Sequence, residues 1–121
     1  MDEREELVEQ ETISADELFD VTLPEAMHEV RPGKWIRVRA LTRAEMGRSE
    51  KLQDNHLRQE QYLLSVAVLE PKLTEADVAK WQRSAAFMEV EMVARKINKL
   101  SGVSKDAAKS DVPGDGEQPE S

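Results

Sequence analysis

The chain has 121 residues, a formal net charge of −8 and no cysteine. This length suits one small domain rather than two. The absence of cysteine excludes a disulfide framework, a thiolate zinc site and a cysteine nucleophile. Nucleic acids and anionic membranes are themselves negative, so an acidic chain is a poor general binder of either. The composition favours a small protein whose partners are other proteins.

The first segment, residues 1–13, is dominated by acidic side chains and lacks the apolar centre of a signal peptide. No apolar run in the chain approaches the roughly 18 residues of a membrane span. We therefore expect a cytosolic protein with a frayed acidic N-terminus. Ser14 and Glu17 have the spacing of a capping box, which predicts a short helix beginning at Ser14.

A β-hairpin is predicted between residues 25 and 41. Ile36 and Val38 alternate with arginines, as in a half-buried strand. Pro32 and Gly33 have the φ preferences of a tight turn. A lone hairpin is marginally stable in water, so a helix should cover it, or another copy should extend it through its edge. The two strands are expected at Glu25–Val30 and Trp35–Leu41.

The hairpin region is basic, with no acid between Glu29 and Glu45. The cations form either the solvated face of an amphipathic hairpin or an electropositive strip for an acidic protein partner. The acidic chain as a whole argues against nucleic acid as that partner. On the partner interpretation, Arg37 and Arg39 are candidate contacts. The basic residues are Arg31, Lys34, Arg37, Arg39 and Arg43.

Three helices are predicted to follow the hairpin. Thr42 with Glu45, and Thr74 with Asp77, have the spacing of capping boxes at two of the helix starts. Pro71 cannot continue a helix and is expected to close the one before it. The predicted ranges are 43–54, 57–69 and 75–82.

The last helix has an apolar stripe with steps of three and four residues. Ser84 is the expected N-cap and Gly102 the expected left-handed C′ residue. The stripe is either part of the domain's own core or a groove for a partner helix. Tryptophans are common in cores and also at binding hot spots, so both join the stripe as candidates. The candidate partner-binding residues are Phe87, Val90, Val93, Ile97, Leu100, Trp81 and Trp35.

The sequence has no recognisable catalytic pattern. His28 and His56 belong to no metal-ligand spacing, and the carboxylates are scattered. Glycine-rich phosphate loops and nucleophile-elbow motifs are missing. We therefore predict a protein that is not an enzyme, with no catalytic residue, cofactor site or metal site. The predicted class is mainly α with a small N-terminal β-hairpin (α+β), a compact helical domain at 14–102 with disordered acidic ends at 1–13 and 103–121.

Three segments together resemble the tail assembly chaperones of long-tailed bacteriophages. They are WIRVRALTRAEM (Trp35–Met46), VAVLEPKLTEADVAKW (Val66–Trp81) and KINKLSG (Lys96–Gly102). With the residues before and between them, they cover about residues 14–102. The chain departs from the family at RPGKW, where related sequences often carry a glycine-rich turn after a proline.

The resemblance implies a protein that binds the tape measure protein, keeps its hydrophobic helices soluble and helps tail tube protein polymerise around it. Such proteins act in the host bacterial cytoplasm and leave before the virion is complete. Many also exist in a longer form made by translational frameshifting, for which residues 103–121 would be the junction.

Two other classes of protein are compatible with the sequence. One is a structural or connector protein that stays in the virion. The other is a helix-turn-helix regulator using residues 75–82 and 85–100. The regulator is disfavoured because its second helix would open with Ala-Ala-Phe-Met-Glu, a poor set for reading base edges.

Overall fold

The computed structural model describes residues 10–103 of the chain. Five helices and three strands lie within this range, so the predicted α+β class with a mainly helical content is confirmed. The elements in chain order are α1 (Ala15–Phe19), β1 (Glu25–Arg31), β2 (Lys34–Arg39), α2 (Arg43–Glu50), α3 (His56–Ala67), β3 (Val68–Glu70), α4 (Glu75–Ser84) and α5 (Phe87–Leu100).

The hairpin is the start of an antiparallel sheet with the order β1-β2-β3. In the first pair His28 lies opposite Ile36, and Gly33 in the turn has φ of 75°. Gly33 therefore occupies the left-handed region that the turn requires and that glycine enters without strain. The predicted hairpin is confirmed to within about one or two residues at each end.

Strand β3 was not predicted, and the expectation that helix 57–69 continues to Leu69 is wrong. The helix ends at Ala67, and Val68–Glu70 pairs with β2, with Val68 opposite Val38 and Glu70 opposite Arg37. Two causes favour the change. The free edge of β2 gains a partner for its backbone groups, and Pro71 disfavours a helical conformation at the residue before it.

Helices cover one face of the sheet and bury the core between them. Val38 and Val68 from the sheet are fully buried together with Leu64 of α3, Val78 of α4 and the α5 pair Val93 and Ile97. The apolar stripe of α5 therefore belongs largely to the domain's own core. The apolar face of an amphipathic helix usually packs on the core of its own domain.

Residues close in the sequence determine where most of the helices begin. The three capping boxes are all present, each with reciprocal side-chain and backbone bonds. Gly102 has φ of 87°, as expected of a C′ glycine. The prediction that Ser84 is the N-cap of the last helix is wrong. Ser84 is the last residue of α4, and its hydroxyl donates to the Lys80 carbonyl at 2.8 Å. α5 instead begins after Ala86, without a capping side chain among the described residues.

Helix α1 stands apart from this core. None of its residues is buried, although it is closed by a capping box at Ser14. The predicted start of the ordered domain at residue 14 is thus a helix with no residue in the hydrophobic core of residues 10–103. Most of the predicted acidic N-terminus and nearly all of the predicted C-terminal tail lie outside the described residues. Within residues 10–103, no helix has the length and apolar character needed to cross a membrane.

Candidate binding groove

A groove of about 410 Å³ opens between the tip of the hairpin and the α4–α5 pair. Apolar side chains from four separate segments form most of its lining, and charged side chains stand at its rim. We call it the tryptophan groove. Its apolar lining is Val30, Trp35, Ile36, Pro71, Leu73 and Trp81, and its charged residues are Arg31, Lys34 and Glu89.

A polar cluster at the rim fixes the hairpin against the helices. The Arg31 guanidinium donates two hydrogen bonds to the Glu89 carboxylate, at 2.9 and 2.8 Å. The Trp81 indole N–H donates to the same carboxylate at 2.7 Å. The bonds from Arg31, and then from Trp81, hold the pKa of Glu89 below its ordinary value. The Glu89 carboxylate of α5 thus connects the end of β1, through Arg31, with α4, through Trp81.

The two tryptophans differ in how far the folded domain buries their side chains. Trp81 is half-buried and packs against the core, whereas the Trp35 side chain is 54% exposed. Burial of an exposed tryptophan by an apolar partner is strongly favourable, because the side chain has a large apolar surface. Trp35 is therefore the residue of this groove whose burial by a bound apolar surface should contribute most to the binding free energy.

The structure divides the predicted stripe of α5. Val90, Val93 and Ile97 are buried, and Leu100 is half-buried against the same core. Val90, Val93 and Ile97 therefore offer no surface to a partner in the folded domain, whereas Leu100 keeps part of its side chain exposed. Phe87 is different, because it is 81% exposed at the start of the helix, beside Leu57 and away from the tryptophan groove.

Two cations of the hairpin's basic strip are paired with acids of β1, β3 and α2. Arg37 pairs with Glu25 at 2.8 Å and with Glu70 at 3.3 Å. Arg39 donates two hydrogen bonds to Glu45, at 2.8 and 2.9 Å. Arg37 and Arg39 thus have carboxylate partners on the outer face of the sheet. Their pairing agrees better with the solvated face of an amphipathic hairpin than with a free electropositive strip, the two interpretations that the sequence left open.

The Arg39–Glu45 pair makes the stability of the domain sensitive to acid. Hydrogen bonds from Arg39, helped by the Thr42 backbone N–H, lower the pKa of Glu45 to about 2. Since this pKa is lower in the folded than in the unfolded chain, the stabilisation is complete above the ordinary glutamate pKa. It is lost as the pH falls from that value towards 2. After allowance for solvent screening, this pair should account for about 1–2 kcal/mol of the loss.

Glu45→Gln should therefore be less stable than the unmodified protein at neutral pH and should lose less stability on acidification. Urea unfolding at a series of pH values measures both effects. Glu70→Gln is the control, because the Glu70 side chain is largely exposed and its contact with Arg37 is longer. Equal pH dependence in Glu45→Gln and the unmodified protein would contradict the assignment.

One cluster could in principle hold a cation. Ligand atoms of His56, Glu60 and Glu91 lie within 4.8 Å of one another across α3 and α5. Protein donors already engage both carboxylates, because Gln82 donates to Glu60 at 2.9 Å and Arg95 donates to Glu91 at 3.0 Å. We assign no ion to this cluster. The sequence did not reveal it, since only the packing of the two helices brings Glu91 to the other two residues.

Comparisons with known protein families, with curated proteins and with solved structures found no match to this chain.

Proposed function

We propose that the protein is a tail assembly chaperone of a long-tailed bacteriophage, and that it binds an apolar helix of the tape measure protein in the tryptophan groove. The observation that carries the proposal is the exposed Trp35 over an apolar groove. The resemblance of Trp35–Met46, Val66–Trp81 and Lys96–Gly102 to that family names the client. Both the groove and the resemblance favour a binding protein over an enzyme.

Recognition would follow the helix-in-groove mode. An amphipathic client helix places its apolar face on Trp35, Ile36 and Leu73, and the groove volume suits a few side chains rather than a whole helix. Lys34 beside the groove can meet an acidic side chain next to the client's apolar face, since Arg31 is already paired with Glu89.

Two further properties suit a chaperone that later leaves the tail. A contact of this size is weak and reversible, so tube subunits can displace the chaperone from the client. The net charge of −8 makes complexes repel one another, which keeps client molecules apart during assembly in the host cytoplasm.

Co-expression with the tape measure protein tests the proposal. We expect the tape measure protein to be recovered in the soluble fraction, and pulled down, only when this chain is present. Failure to bind or solubilise it would overturn the proposed function. Mass spectrometry of purified virions separates the structural or connector alternative, because a chaperone should be depleted from finished particles and a connector retained at fixed stoichiometry.

A further inference from the structure

The segment at residues 10–21, which we call the N-terminal arm, has apolar side chains that are more than half exposed and lie outside the hydrophobic core of the described residues. It contains the capped helix α1, yet Ile13, Leu18 and Val21 are exposed and Phe19 is 77% exposed. A five-residue helix is too short to be stable in water by itself. Its capping box and its exposed apolar residues together indicate a segment built to lie on another surface.

The tryptophan groove matches the arm in both polarity and charge. The groove is apolar inside, and of its charged residues Arg31 is paired with Glu89, which leaves Lys34 as the cation without a carboxylate partner among the described residues. The arm has acidic side chains around its apolar ones and contains no lysine or arginine. Opposite charges at the edge of an apolar contact favour encounter and fix its orientation. The acidic residues of the arm are Glu11, Asp16, Glu17 and Asp20.

In this structure the arm does not occupy the groove of its own chain, because none of its residues is among those that line it. The Pro24 carbonyl accepts a hydrogen bond from the Ala40 N–H at 2.9 Å, which fixes the chain beside the open end of the hairpin. From Pro24 back to Phe19 the chain spans at most about 17 Å. The groove lies at the other end of β1, and the strand Glu25–Arg31 is about 20 Å long. Leu18 and Phe19 could therefore reach the groove of their own chain only with the connection fully extended, a constraint that the groove of a second copy does not impose.

We propose that the N-terminal arm of one copy binds in the tryptophan groove of a second copy. Two different surfaces meet in this contact, so it closes a dimer only by reciprocal exchange and otherwise continues into a ring or filament. The contact requires no client, so it goes beyond the proposed function and stands without it. If the groove also receives the client, the arm keeps Trp35 covered until the client displaces it.

Sedimentation of the full chain alone tests the proposal. Since the contact is small, we expect the average mass to rise from the 13.7 kDa of one chain as the concentration increases from about 10 µM to about 1 mM. Phe19→Asp, which alters the arm, and Trp35→Asp, which alters the groove, should each remain at the mass of one chain. Both positions are exposed, so circular dichroism should show an unchanged fold.

A mixture of the two variants gives the decisive result. Phe19→Asp retains an intact groove and Trp35→Asp an intact arm, so the mixture should associate although neither variant does alone. Met92→Asp is the control, because Met92 is exposed on the face of α5 away from the core and lines no part of the groove; it should associate as the unmodified protein does.

Three outcomes would overturn the proposal. A single-chain mass at all concentrations would exclude the contact between copies. Association that survives both substitutions would point instead to pairing through the edge of β1. A mixture that stays at the single-chain mass would show that arm and groove do not bind each other. None of these outcomes bears on client binding, because the tape measure protein is absent from the experiment.

Discussion

Val93→Asp is expected to unfold the domain, whereas Met92→Asp, one residue earlier, should leave it folded. The Val93 side chain points from α5 into the core and is 0% exposed, whereas Met92 is 42% exposed. An aspartate at position 93 would be a buried charge with no partner, which costs more than about 4 kcal/mol. A small domain has a total stability of only about 5–15 kcal/mol. Circular dichroism and thermal unfolding measure the difference.

The neighbouring substitution is a close control because both changes place an aspartate in the same turn of α5. Met92→Asp should cost no more than about 1 kcal/mol, mainly through helix propensity. If Val93→Asp remained folded with an unchanged melting temperature, the core described for α5 would be wrong. Loss of client binding in Val93→Asp would not identify a client surface, because unfolding alone explains that loss.

Trp35→Ala is expected to weaken binding to the tape measure protein by about 10- to 100-fold, the range typical of a tryptophan at a binding hot spot. The Trp35 side chain is more than half exposed in the free domain, so little of the loss should come from the stability of the domain. Pull-down and titration with the soluble client, at concentrations below those at which copies associate, measure the affinity.

Met27→Ala is the matched control for Trp35→Ala. Met27 is an equally exposed apolar residue of the same hairpin, but it lies opposite Arg37 and does not line the groove. It should bind the client with unchanged affinity. Equal loss in both variants would mean that general surface hydrophobicity, rather than the tryptophan groove, holds the client. Unchanged binding in Trp35→Ala would place the client elsewhere.

The role of Trp81 is better tested by a smaller change. Trp81→Phe retains an apolar ring but removes the indole N–H that donates to Glu89. We expect a modest loss of stability, about 1 kcal/mol, since Arg31 still satisfies the carboxylate. Urea unfolding measures this change, and a client affinity close to that of the unmodified protein would agree with Trp35 as the main contact.

Several elements followed from the sequence because their determinants lie within a few residues. The capping boxes at Ser14, Thr42 and Thr74 join residues three positions apart. The turn at Gly33 and the helix end at Gly102 depend on the φ preference of one residue. These signals, with the alternation in β2 and the stripe of α5, were sufficient for the α+β class and for most helix and strand positions.

The candidate binding groove depends on contacts between residues far apart in the chain. Arg31 meets Glu89 from 58 positions away, and Arg37 meets Glu70 from 33 positions away. Packing places Val90, Val93 and Ile97 in the core and leaves Trp35 exposed beside the groove. Pairing with β2 also makes Val68–Glu70 a strand instead of the last turn of α3. Composition and periodicity show that a side chain is apolar or charged. Only the tertiary structure decides which neighbour buries or neutralises it.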